Sequence, residues 1–337
     1  MNEISGTAAR SGSGRETESS GGEAMSMPSV TVVIPAYNYA HYLPATIGSI
    51  LSQTHREFEI IVVDDGSTDA TKEVVEAIRD ERVRYVWQKN AGLPAARNTG
   101  IRNARHELIG LIDADDLWWP QMLERCVQKL MELPTDFVLV ACRHDLIDPQ
   151  GGVLPKKVVS GFDREIRPAE VLLRSRFGSS SVVLRKHALE AAGWFDETLT
   201  SSEDRDMWIR IGQRGRLWLM AEVISSVRIH PVSMSRNAER MQRNARRVFT
   251  KAYEAGVVPR WKFWWWLRLL AVNHHEAAWM FFDQRLPWRA LRETLLSILI
   301  CPWVWKPSDV FAPFLFRIRS AARFLMFGLV GRKGPGQ

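Results

Sequence analysis

Hydrophobic positions along the chain fall first into short runs rich in Val, Ile and Leu at 30–34, 59–63, 83–87, 108–112 and 137–141. None of them alternates cleanly between apolar and polar residues, which is the pattern of strands covered on both faces in a mostly parallel sheet. The segments between them, 42–53, 69–79, 94–104 and 120–133, are each long enough for a crossover helix. Strand and helix in repeated succession predict a layered α/β domain. Beyond residue 141 the alternation loosens. There 168–174 and 186–192 predict short helices, 181–184 a strand, 203–213 a helix whose first turn is acidic, and 237–256 a polar linking helix. Residues 1–28, rich in Ser, Gly, Glu and Thr, predict a disordered leader, because they bury too little surface to offset the entropy of ordering. The expected organisation is thus a leader over 1–28, an α/β domain over 29–235 and a helical extension over 236–337.

Sheets of this kind bind ligands beyond the carboxyl ends of their strands. Those ends are polar here: Pro35-Ala36-Tyr37-Asn38, Asp64-Asp65-Gly66-Ser67, Asn90-Ala91-Gly92 and Asp113-Ala114-Asp115-Asp116. Asp113 and Asp115 lie two residues apart, so in extended backbone their side chains share one side and can meet one ligand. Oxygen donors with no neighbouring His or Cys favour magnesium, manganese or calcium over zinc, and such an ion can bridge carboxylates to a diphosphate. The plainer alternative is that these aspartates cap the helix near Pro120, and for Asp116 that alternative is preferred. Asp69, Ser67 or Thr68 would likewise cap the helix after the second run. That leaves Asp65 facing the crevice, where a carboxylate suits a uracil imide or a ribose hydroxyl. No Gly-Xaa-Gly-Xaa-Xaa-Gly or Gly-Lys-Ser follows any strand, which excludes dinucleotide and P-loop modes of binding.

Composition changes this picture at one end only. With 337 residues, 46% hydrophobic and 25% charged, the chain is long enough for a substantial core. Cys126, Cys142 and Cys301 are too few for a disulfide framework or a zinc site and suggest a reducing compartment. The net charge of +7 is uneven: the tail from Gly256 carries +8 and everything before it −1. The same tail holds eight of the fourteen tryptophans. Basic, tryptophan-rich segments suit the headgroup layer of a membrane, and the division of charge removes most of the support for nucleic-acid binding.

Read together, Val-Ile-Pro-Ala-Tyr-Asn (33–38), Val-Val-Asp-Asp-Gly-Ser-Thr-Asp (62–69), Asn-Ala-Gly-Leu-Pro-Ala-Ala-Arg-Asn-Thr-Gly (90–100) and Asp-Ala-Asp-Asp (113–116) resemble, in order and spacing, the family 2 glycosyltransferases. These are inverting enzymes of the GT-A, nucleotide-diphospho-sugar transferase fold. The likeness continues through Gly-Trp-Phe-Asp-Glu (193–197), Glu-Asp-Arg-Asp-Met-Trp-Ile-Arg (203–210) and Arg-Ile-His (228–230), and covers about 29–234. It implies that Pro35 and Tyr37 frame the base, that Asp65 contacts it, and that Arg97 and Asn98 lie near the nucleotide. Asp113 and Asp115 would hold ribose and a divalent metal, Mn2+ or Mg2+, with Asp115 the first choice as ligand. The plainer alternative for Arg97 is a structural ion pair, for instance with Asp65. Inversion requires a base that takes the acceptor hydroxyl's proton. The Asp of the Glu-Asp pair, Asp204, would be that base and Glu203 an acceptor-site neighbour, although both also suit the dipole of a helix N-terminus. His230 would help hold the metal or the leaving group. Trp118 and Trp119 line a sugar pocket or cover the sheet, with packing preferred. The donor expected is a nucleotide-diphospho-sugar, UDP-sugar favoured, and the acceptor a glycan or a lipid-linked saccharide, as in surface polysaccharide assembly.

In the tail, Trp261, Trp264, Trp265 and Trp266 stand beside Arg260, Lys262 and Arg268, and Trp288, Trp303 and Trp305 beside Arg289, Arg292 and Lys306. Residues 314–330 predict an amphipathic surface helix with Arg317, Arg319 and Arg323 on one broad face, whereas 295–305 is too short to span a bilayer and is broken by Pro302. These features predict a peripheral anchor on the cytoplasmic face of a membrane. The competing expectation is a helical subdomain packed on the catalytic body. Two other functions compete: a nucleotidyltransferase on the same sheet, which lacks its Gly-rich basic loop here, and a non-catalytic nucleotide-sugar-binding protein at a membrane.

Overall fold

The computed structural model describes residues 27–155, 161–173, 177–230, 237–258, 263–302 and 314–330. All but the last two residues of the expected leader lie outside these, as do Trp261, Trp303 and Trp305 with Arg260, Lys262 and Lys306. The first strands are β1 (Val30–Ala36), β2 (Phe58–Asp64), β3 (Val83–Trp87) and β4 (Leu108–Leu111). They pair in parallel in the order β3-β2-β1-β4. Val30, Val32, Ile34, Ile60 and Val62 face one core layer and Val33, Ile61 and Val63 the other, so both faces are apolar and the runs show no alternation.

The second half completes a nine-stranded sheet with β5 (Leu117–Trp118), β6 (Phe137–Ile147), β7 (Arg164–Ile166), β8 (Val182–Arg185) and β9 (Arg216–Arg228). β8 runs antiparallel between β4 and β6; β9 then lies parallel to β6, with β5 and β7 antiparallel to it. Six strands therefore share one direction and three oppose it. The bridging strand β9 and the two-residue β5 escape the sequence pattern, because β9 mixes polar and apolar residues and β5 is too short for any period.

Helices cover both faces: α1 (Leu43–Leu51), α2 (Thr71–Glu76), α3 (Leu93–Arg102), α4 (Met122–Glu132), α5 (Pro168–Leu173), α6 (Lys186–Ala192) and α7 (Glu203–Gly212). α3 is pressed onto the sheet at Gly100, where an added Cβ would stand 2.2 Å from Val33 Cγ1. That close approach explains why the motif ends in glycine. α2 is shorter than expected, and Asp69 braces its approach by accepting from Thr71 N (3.1 Å) and Ala40 N (3.0 Å).

The extension consists of α8 (Ala238–Glu254), α9 (Phe263–Asp283), α10 (Pro287–Ile300) and α11 (Phe314–Val330). Ala245, Val248, Phe249, Ala252, Leu269 and Val272 belong to the same core as the sheet's β6 face, and Trp265 and Trp266 pack against it. The start of the extension is thus docked on the α/β domain. A smaller core around Phe281, Ala290 and Phe324 joins α9, α10 and α11. Arg317 corrects the expected amphipathic face of α11. It is buried and donates to the carbonyls of Ser297 (2.9 Å) and Cys301 (2.9 Å), closing the open carbonyl end of α10, while Arg319 and Arg323 are exposed. No helix among the described residues is long and apolar enough to cross a membrane.

Candidate active site

The polar strand ends meet as expected, and hydrogen bonds tie the loops to one another. Asn38, at φ 59°, donates its amide to Ser67 Oγ (3.0 Å), and its side-chain oxygen accepts from Thr68 N (2.8 Å). Asp64 accepts from Tyr85 Oη (2.6 Å) and Ser67 N (2.8 Å). Asp65 is buried, and its oxygens take Gln88 Nε2 (2.6 Å), Ala91 N (2.9 Å) and Gly92 N (2.8 Å). Gly92 stands at φ 93°, a conformation glycine accepts readily, and this turns its amide toward that carboxylate at the start of α3. Asp65 therefore shapes the loop over residues 88–92 and lines the crevice at the same time.

These loops enclose a cavity of about 640 Å³. Pro35, Tyr37, Asp65, Arg97, Asp113, Asp115, Glu203 and Asp204 all line it. Two expected residues do not. Asn98 is buried one step along α3, where its side chain exchanges hydrogen bonds with the backbone of Phe195 (3.0 and 2.9 Å) and donates to Glu197 (2.8 Å). It anchors the 193–197 segment and so replaces the expected nucleotide contact with a structural one. His230 lies behind the wall, with Nε2 2.8 Å from Asp115 Oδ2 and 3.4 Å from Tyr39 Oη.

Arg97 forms neither the expected pair with Asp65 nor a lone contact. Only 2% exposed, it donates through one guanidinium nitrogen to Asp113 Oδ1 (2.6 Å) and through the other to Glu203 Oε1 (2.5 Å). Burial disfavours its charge, but the carboxylates of Asp113 and Glu203 outweigh that and hold its pKa above the usual value. The cation ties the end of β4 to the first turn of α7, across the floor of the cavity.

Asp204 follows on α7 and is half-buried. Burial, and next the charge of Glu203, push its carboxyl up to about 6, against the opposing pull of Arg97. A carboxyl poised there accepts a proton far more readily than an ordinary aspartate does. Ser202, which precedes α7, holds φ 60°, a left-handed backbone unusual for a residue with a side chain.

On the opposite wall the acids crowd. Burial and then the charge of Asp113 raise the Asp115 carboxyl, with His230 opposing. Asp116 does not cap α4, whose preceding residue is Gln121. It is buried and accepts from Arg228 N (2.8 Å), pinning β9 against the strand-end loop, and burial followed by Asp115 and Asp113 raises it well above the usual range. Trp118 is packed in the sheet core with its indole donating to Ser180 O (2.8 Å), while Trp119, 44% exposed, donates to Ser226 Oγ (3.1 Å), and neither lines the cavity.

Sequence reasoning missed Tyr39, Phe177, His144 and the Ser179–Ser181 turn, all at the cavity. Ser180 Oγ accepts from Asp113 N (3.0 Å) and so fixes the acidic loop. A polar Ser-Ser-Ser stretch directly before an apolar strand was the available signal.

The donor set suits a hard divalent cation. Asp115 Oδ2 and His230 Nε2 are hydrogen-bonded to each other at 2.8 Å, so the groups this wall presents to the cavity are the carboxylates of Asp113 and Asp115, the hard oxygen donors that Mg2+ or Mn2+ prefers. No group of three or more His, Cys, Asp or Glu converges on one point among the described residues. The site therefore fits an ion whose remaining ligands arrive with the substrate, such as diphosphate oxygens and water.

Comparison with known proteins gives the family and the fold. The family model described as Glycosyl transferase family 2 matches residues 31–190. A relative from Rickettsia typhi, described as an uncharacterized glycosyltransferase, is 31% identical over 217 residues, which is 63% of this chain and 67% of that protein. Among solved structures, the mannosyltransferase PcManGT of Pyrobaculum calidifontis, in complex with GDP-Man and Mn2+, superposes with a TM-score of 0.58 at 20% identity, covering 91% of this chain and 88% of that one. TarS of S. aureus, in complex with UDP-GlcNAc, gives 0.54 at 17% identity over 90% and 92%. The chain belongs to glycosyltransferase family 2 and has the GT-A fold. The nucleotidyltransferase reading gives way to this membership.

Proposed function

We propose that the protein is an inverting, metal-dependent hexosyltransferase that moves a sugar from a nucleoside-diphosphate donor, a UDP-sugar by preference, to a hydroxyl of a glycan or lipid-linked acceptor in surface polysaccharide assembly. One observation carries the reading: the Asp113/Asp115 wall and Asp204 line the same cavity, with Arg97 joining the two sides. Pro35, Tyr37 and Asp65 would frame the base, and Asp113 the ribose. Asp115, with Asp113 beside it and His230 bracing it from behind, would hold the divalent cation, which when bound neutralises charge on the leaving diphosphate. Asp204 would accept the acceptor hydroxyl's proton as that oxygen attacks the anomeric carbon from the face opposite the diphosphate. Glu203 raises the basicity of Asp204 and shapes the acceptor side, while Arg97 keeps Glu203 ionised and in place.

Peripheral association with the cytoplasmic face of a membrane belongs to the same proposal, supported by exposed Trp264 and Trp288 among the cations of the extension. Thermal shift with UDP-, GDP- and dTDP-sugars plus Mn2+ identifies the donor, and proton NMR of the product then reads its anomeric configuration. Inversion of the donor's configuration is expected. A retained configuration, or no transfer or hydrolysis across the donor panel, contradicts the proposal.

A further inference from the structure

A second cavity, of about 760 Å³, lies between α8, α9 and α10, away from the sheet edge. Arg243, Arg246 and Arg247 of α8 and Arg292 of α10 line it. The first three form no ion pair among the described residues. Arg247 donates only to neutral groups, Thr198 O (2.8 Å) and Thr198 Oγ1 (2.7 Å) among them. Arg292 is 3.9 Å from Glu293, whose other oxygen is taken by His274 Nδ1 (2.6 Å) and Gln242 Nε2 (2.7 Å). The second acid of the lining, Glu239, pairs with Arg289. Both acids are thus engaged, and the exposed guanidinium groups of Arg243, Arg246 and Arg292 border a void large enough for an anion. Guanidinium forks match phosphate oxygens in a way that ammonium groups do not.

The rim indicates which phosphate. At 100° per residue, Arg292, Leu295, Leu296 and Leu299 share one face of α10. Leu296 lines the cavity, whereas Leu295 and Leu299 are 47% and 77% exposed. A free phosphate ion has no use for an apolar rim. A phospholipid carries its phosphate and its acyl chains in one molecule, and the net charge of +8 from Gly256 onward, adjoining the α8 arginines, attracts anionic leaflets.

We propose that this cavity seats the headgroup phosphate of an anionic phospholipid, with Arg243, Arg246 and Arg292 as ligands and Leu295 and Leu299 entering the acyl boundary. The assignment rests on the peripheral-membrane reading above and gives it a specific site. It also links the two cavities. α8 lends Met241 to the wall of the active-site cavity and, from its opposite side, Arg243 and Arg246 to the lipid cavity. Lys251 of α8 further pairs with Asp206 of α7 at 2.7 Å, so a bound bilayer would fix the orientation of the helix bearing Asp204.

The test floats the full chain with vesicles of phosphatidylcholine alone and of phosphatidylcholine mixed with phosphatidylglycerol. Binding to the mixed vesicles only is expected. Arg243→Gln with Arg246→Gln should weaken it about fivefold per charge removed, and Leu299→Ser should weaken it further. Melting temperature and nucleotide-sugar turnover in detergent-free buffer should stay unchanged. Mixed-vesicle binding that survives the arginine changes overturns the cavity and leaves the membrane reading standing. Binding to neither vesicle overturns both. Stabilisation by inorganic pyrophosphate through the same arginines, without vesicle binding, would make this a site for soluble phosphates and overturn the lipid assignment.

Discussion

The Arg97 guanidinium donates to the Glu203 carboxylate at 2.5 Å across 106 positions of sequence, and both groups are buried. Its second arm reaches Asp113. The end of β4 and the start of α7, on two sides of the cavity, are therefore held at a fixed separation by one side chain. Removing one partner of a buried pair leaves the other charged without compensation, at about 3–5 kcal/mol. Arg97→Met should lower the melting temperature and abolish transfer. Glu203→Gln, which keeps a hydrogen-bond acceptor for Arg97, should lose less stability. Calorimetry of the two variants checks the order.

Asp204 gives a pH signature. Its folded pKa is about 6, above an unfolded value of about 3.9. If Asp204 is the base, it is protonated and inactive below pH 6, so kcat/KM should rise through about pH 6 and level off above it. Glu203→Gln removes the charge that helps raise Asp204, so the acidic limb should move to lower pH. An unmoved limb would assign it to another group.

The same shift has a sign for stability. Between about pH 3.9 and the folded value the unfolded chain binds fewer protons at this group, so the fold loses stability as pH rises through that window and carries the full penalty above it. Asp204→Asn removes a half-buried charge and should raise the melting temperature at pH 7.5 by roughly 2–4 °C. Thermal melts at pH 5 and pH 7.5 test this, with the gain expected to be larger at the higher pH.

Chelation should remove donor-dependent stabilisation, and Mn2+ or Mg2+ should restore it. Asp115→Ala should lose the metal-dependent part of donor affinity, read by titration calorimetry with and without chelator. Asp116→Ala, by contrast, strips the acceptor from Arg228 N and should destabilise by about 1–3 kcal/mol.

Gly100→Ala replaces a poor helix former with a good one, yet it should destabilise. The new methyl would meet Val33 of β1 at 2.2 Å, and overpacking of that kind costs about 1–3 kcal/mol. A denaturant titration reads the sign directly.

Much of this was legible in the sequence. The parallel strands announced themselves because burial on both faces demands continuous Val and Ile, and the strand ends because only they are polar. α6 falls at the expected residues, since Gly193 at φ 85° ends it sharply. Partners were less legible. Arg97 finds Glu203 through the order of strands, which no local pattern encodes. Asp116 looks like a cap beside Pro120, but the pairing of β5 with β9 brings Arg228 over it. Arg317 follows the helical spacing of a surface arginine, yet the end of α10 supplies carbonyls that bury it.

The central claim is that a carboxylate at position 204 receives the acceptor's proton in the cavity where the donor is held. Single-turnover transfer by Asp204→Asn, measured alongside its donor Kd, tests this most directly. The account predicts a fall of about 10²–10⁴ in the transfer rate with donor affinity unchanged; transfer at the parent rate would contradict it.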